Sequence, residues 1–203
     1  MKSINLKITK IKCLRTSIEF GADEIYCGGI FIPVKLQNEE LIKGKAISFA
    51  TNDISMRKGK ELNPNSEFSF DIPTEYDDYI LILQLIEKDD GLLLQKFKSG
   101  KIAEEIENVD ILKNAFVKLI GSINIKEINQ GDIWASLGKM VVKALPAVVI
   151  SLIGDIIKQI KMDDIISSKQ FSKEKAKELN LNSPKEFLFS KLFAKYKLSI
   201  SIN

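Results

Sequence analysis

Apolar residues recur at every second position through the first ninety residues and at every third or fourth from about residue 99, so the chain changes secondary-structure type near its middle. Ile4, Leu6 and Ile8 alternate with Asn5 and Lys7, and Phe68, Phe70 and Ile72 alternate with Ser69 and Asp71. Each run predicts a strand with one buried face. Three further strands are predicted at 24–33 (EIYCGGIFIP), 45–56 (KAISFATNDISM) and 79–87 (YILILQLIE), separated by Gly, Asn-Pro and Asp-rich turns. The last is apolar on both faces except at Gln84, which predicts a central strand with a cover over its outer side.

Beyond residue 99, Ile102, Ile106, Val109, Leu112, Phe116 and Ile120 predict one amphipathic helix. A second starts after Gln130-Gly131, where Asp132 can cap it, and carries Ile133, Leu137, Leu145, Val148, Ile156 and Ile160 on one face, with Pro146 predicting a kink near Lys143. Strand alternation then returns in DIISSKQF (164–171) and in AKYKLSISIN, where Tyr196, Leu198, Ile200 and Ile202 are spaced by Lys and Ser. The C-terminal strand is too short to form a domain, so it must pair with the early ones. The predicted architecture is mainly β, α+β overall: one antiparallel sandwich of about eight strands, split between residues 1–98 and 162–203, with residues 99–161 inserted as a helical hairpin.

Composition narrows the function. The 203 residues are 45% hydrophobic and 28% charged, which is ordinary for a globular chain, and 30 basic against 27 acidic residues give +3, too even a balance to supply the field of a nucleic-acid binder. With no His, Ser-His and Cys-His nucleophile pairs and the commonest metal ligand are absent. No catalytic motif and no small-molecule substrate are evident, and the protein is expected to be non-enzymatic. The opening MKSINLKITKIK lacks the apolar core of a signal peptide, so the expected location is cytoplasmic as synthesised, with release by a non-classical route if the protein is an effector. ALPAVVISLIG is too short for a bilayer span, which needs about 20 residues. Cys13 and Cys27 are expected on neighbouring strands, where a bridge is geometrically conceivable and buried free thiols are the simpler state.

Several stretches, in order, carry a resemblance. LKITKIKCLRTSIEFGADEIY resembles the first strand, first loop and second strand of C2 domains; LNPNSEFSFDIP resembles their Asn-Pro-x-x-x-Glu-Phe-x-Phe strand; LILQLIEKDD and MDDIISSKQF resemble the borders of their acidic loop. The resemblance implies that Glu19, Asp23, Glu87, Asp89, Asp163 and Asp164 converge at one tip of the sandwich as oxygen ligands for calcium, a hard cation that takes six to eight such ligands. Two positions depart from the pattern: Ser17 stands near an expected Asp, and Glu87 replaces another. The family's corresponding loop meets membranes, so the resemblance also implies that the hairpin lies at or folds back near a membrane-facing tip. Trp134, Lys139 and Lys143 are then candidate interfacial contacts, and Arg57, Lys58 and Lys60 an anionic-lipid patch. For each there is a plainer structural meaning: solvated turns for the charges, and for the helices an internal pair that covers YILILQLIE. Two function classes remain. One is a membrane-associating protein, toxin-like or effector-like, that docks on an anionic surface; the other is a module that binds a protein partner within a larger assembly.

Overall fold

The computed structural model describes residues 2–17, 22–37, 40–89, 91–108, 150, 163–172 and 184–203. The alternating N-terminal run forms one long strand, β1 (Lys2–Arg15), with Leu6, Ile8, Ile11 and Cys13 buried. The step from Ile8 to Ile11 breaks strict alternation because the register shifts between Ile8 and Lys10, and the extra residue resets which side chains face inward. β2 (Asp23–Gln37) follows, then β3 (Glu40–Lys43), β4 (Ile47–Ala50), β5 (Ile54–Met56), β6 (Glu61–Leu62), β7 (Ser66–Ile72) and β8 (Asp78–Glu87). Two helices, α1 (Leu92–Lys98) and α2 (Lys101–Asn108), precede β9 (Asp164–Ser172), β10 (Lys185–Lys191) and β11 (Ala194–Ile202).

Pairing sorts these into two antiparallel sheets. In the first, β10, β11 and β1 lie side by side, and β6 and β7 share the far edge of β1. In the second, β3, β4 and β5 pair along one edge of β2, and β8 and β9 continue the sheet on its other side. Each sheet therefore has four strand positions, and the whole is a C2-like antiparallel sandwich, mainly β. As expected, the two ends of the chain meet: β1 runs beside β11 from Leu6–Ile202 to Arg15–Lys195.

The core fills the space between the sheets. Leu6, Ile8, Leu198 and Ile200 face Phe31, Leu81, Leu83 and Leu85, with Phe31 stacked on Phe70 at 4.6 Å between ring centroids. β8 is covered on both sides, as its two-faced sequence predicts. Its outward residues Ile80, Ile82 and Ile86 join Tyr26, Ile30 and Ile32 in a second cluster beneath Leu93, Phe97, Ile102 and Ile106 of the helices. Close packing explains Gly28 and Gly29 in the interior of β2. A Cβ at Gly28 would come 2.9 Å from the Phe97 ring, and one at Gly29 2.3 Å from the Phe49 ring.

Two expectations need correcting. Helix begins at Leu92, within the stretch assigned to the sandwich, because Leu93, Leu94 and Phe97 sit under the same cover as α2; the chain then turns at Gly100, whose φ of +82° suits a residue without a side chain. Cys13 and Cys27 are buried free thiols as the simpler state has it, but β1 and β2 belong to opposite sheets rather than being neighbours. Most of the helical hairpin expected at 99–161 lies outside the described residues.

Candidate functional site

Strand directions bring five connections to one end of the sandwich. β1 ends at Arg15 beside Lys195, β2 starts at Asp23 beside Met56, and β8 ends at Glu87 between Ile25 and Asp164. The Arg57–Lys60 turn is tied to the same end: the Gly59 N–H donates to the Cys13 carbonyl and the Cys13 N–H to the Lys60 carbonyl, both at 2.9 Å. Asp23, Glu87, Asp89, Asp163 and Asp164 and the Arg57, Lys58 and Lys60 patch, which the sequence treats as separate features, thus share one tip.

Within it the carboxylates divide. Asp23 is buried, and its oxygens accept from the Ser17 N–H at 2.9 Å, the Ser17 hydroxyl at 3.0 Å and the Tyr196 hydroxyl. Asp163 is buried too, accepting from the Tyr26 hydroxyl and the Asp89 N–H, each at 2.9 Å. These two anchor loops to strands. Glu87, Asp89 and Asp164 line an open cleft of about 260 Å³ with Ser17, Lys191 and Phe193, and the Lys191 ammonium lies 3.1 Å from the Asp164 carboxylate. Nearby, Lys88 bridges Asp53 at 2.6 Å and Glu24 at 3.3 Å. The hydrogen bond from Lys88 holds the Asp53 carboxyl below its ordinary range, and the same contact raises Lys88.

Among the described residues, no three His, Cys, Asp or Glu side chains gather as a metal site requires. The function proposed below rests on no bound metal. Glu19, Trp134, Lys139 and Lys143 lie outside the described residues.

The structure adds residues that pattern reasoning passed over. The β10–β11 turn projects Leu192, 88% exposed, and Phe193, 41% exposed, beyond the last strand pair Lys191–Ala194. The Arg15 guanidinium sits 5.2 Å from the centre of the Phe193 ring. The signal was present in SKLFAK, where two adjacent apolar residues between lysines interrupt the alternation. Those two residues lie just before AKYKLSISIN and belong to none of the predicted strands.

No protein-family model matches this sequence, and no curated protein matches it. Among solved structures, the human GIVD cytosolic phospholipase A2 in complex with methyl gamma-linolenyl fluorophosphonate aligns with 98% of this chain at 9% identity and a TM-score of 0.35. This chain spans 17% of the length of that one. At that level the likeness adds nothing to the fold already described.

Proposed function

We propose that the protein is a non-enzymatic peripheral binder of anionic membrane surfaces, docking through the loop end of the sandwich. One observation carries this reading. Arg15, Arg57, Lys58, Lys60, Lys191 and Lys195, from three separate segments, are all exposed at that end. Juxtamembrane cations contribute about 1 kcal/mol each at an anionic surface; Lys191 is paired with Asp164 and the cleft carboxylates oppose the attraction, so Arg15, Arg57, Lys58, Lys60 and Lys195 carry the docking. Among the described residues no helix is long and apolar enough to cross a membrane.

The helices qualify how an insertion could take part. α1 and α2 are fastened to the second sheet: the Ala46 N–H donates to the Glu107 carboxylate at 2.7 Å, the Ser48 hydroxyl to the Phe97 carbonyl at 2.9 Å, and Phe97 fills the space left by Gly28. Any movement of the hairpin onto lipid must leave residues 92–108 in place.

Flotation with phosphatidylcholine vesicles, with and without phosphatidylserine, tests the proposal. The protein should float only with the anionic vesicles and be released by salt, since exposed charges are screened beyond about 8–10 Å at physiological ionic strength. Combining Arg57→Ala, Lys58→Ala and Lys60→Ala should weaken binding about a hundredfold. Absence of binding to either vesicle, with calcium or without it, would reject membrane association and leave the protein-interaction module. Binding strengthened by calcium would support the calcium expectation for this acidic cleft.

A further inference from the structure

We infer that the Leu192–Phe193 turn is an apolar wedge that enters the acyl boundary of an anionic bilayer while the surrounding cations hold its headgroups. This rests on the membrane reading above and assigns the part of the surface that penetrates. Leu192 bears two disadvantages at once. It is the most exposed of the large hydrophobic residues described, and its φ of +39° lies in the left-handed region that a branched side chain avoids. A two-residue hairpin loop with its first position left-handed ordinarily takes Gly there. Leucine at such a point weakens the fold and contributes nothing to the core, and backbone outliers of this kind gather where a surface has work outside the fold.

The surroundings select the occupant. Arg15 lies over the Phe193 ring, Lys195 follows the turn, and Arg57, Lys58 and Lys60 stand on the same end, so basic residues back the apolar apex; the apex also borders the cleft of Glu87, Asp89 and Asp164, where Lys191 pairs with Asp164. That order, apolar outermost and basic just behind it, matches the depth profile of an anionic interface, where rings and aliphatic chains sit below the phosphates and Lys and Arg reach up to them. A protein partner would need a pocket shaped to a convex two-residue tip; a fluid acyl layer needs none.

Leu192→Gly separates the turn's role from its folding. The thermal melt of this variant should be unchanged or slightly higher, because the strained conformation is relieved and little burial is lost. Its partition onto phosphatidylserine-containing vesicles should fall about tenfold, the cost of withdrawing one aliphatic side chain from the apolar layer. A polarity-sensitive dye on Leu192→Cys, with Cys13 and Cys27 both buried, should shift to the blue on those vesicles and be quenched by lipids brominated along the acyl chain. If wild-type protein binds anionic vesicles while Leu192→Gly binds equally well and the dye stays in water, the wedge is wrong and surface docking stands. If wild-type protein binds no vesicle, both fall. If Leu192→Gly instead dissolves a dimer seen by sedimentation, with vesicle binding untouched, the turn is a contact between copies and the wedge is again wrong.

Discussion

Asp23 is only 4% exposed, yet it keeps company with three donors, two from Ser17 and one from Tyr196. Removing a carboxylate from water costs several kcal/mol unless such bonds replace its hydration. A residue whose type and position suggest a metal ligand is therefore occupied in joining the first loop to β11. Neighbouring groups titrate under the same constraint. Burial pushes the Cys27 thiol from its ordinary 9.0 up to about 12, and burial, then the hydrogen bond to Asp23, raises the Tyr196 phenol. Both groups are neutral in the fold and ionise more easily in the unfolded chain. Their contribution to stability is complete below the unfolded pKa and is lost as pH rises toward the folded one. The melting temperature should decline as pH climbs from near 9 toward about 12, and Cys27→Ala should flatten part of that decline while lowering stability at neutral pH by about 1 kcal/mol. Circular-dichroism melts over that pH range decide it; an unchanged slope would remove Cys27 as a contributor.

α1 and α2 illustrate how an element is defined by what it covers. Seven- and eight-residue helices are marginal in isolation, so their stability comes from the apolar face pressed on β2, β4 and β8. Phe97 is the centre of that contact, fully buried over a glycine whose missing Cβ makes room for its ring. Phe97→Ala should cost about 3–5 kcal/mol, because the cavity left above Gly28 and between two regular strands cannot collapse. Urea unfolding reads that loss directly, and amide exchange in α1 and α2 should accelerate first. A loss below 1 kcal/mol would mean that the helices contribute little to holding the sandwich.

Across the whole molecule, the sandwich closes only when the last strand arrives. β11 lies between β1 and β10 and contributes Tyr196, Leu198, Ile200 and Ile202 to the central core, all but buried. Its removal strips β1 of one partner, leaves β10 with none in its sheet and takes four large side chains out of the core, each contributing about 1.5–3 kcal/mol when buried. That sum, about 6–12 kcal/mol, is comparable to the whole 5–15 kcal/mol stability of an ordinary domain. A chain ending at residue 194 should show no cooperative melt, and one that keeps a sharp transition would contradict the pairing of the chain ends.

The period-two runs determined the strands, because alternation lets a strand bury only one face, and the apolar outer face of β8 at Ile80, Ile82 and Ile86 demanded a cover before any helix was in place. The pairing of the first and last strands was also legible, since neither AKYKLSISIN nor the N-terminal run can be stable without a partner. The helix at Leu92–Lys98 was not: GLLLQKF is too short to show a period, and only the groove over Gly28 makes it a helix. Tertiary structure alone decided the fates of the acidic residues. Carboxylates alike in sequence become buried anchors at Asp23 and Asp163, which accept from a Tyr hydroxyl and a backbone N–H, or a cleft lining at Glu87, Asp89 and Asp164. Only the folded chain sets Arg15, the Arg57–Lys60 turn and Leu192–Phe193 at one end, because segments far apart in sequence share an end through strand direction, a quantity that no local pattern contains.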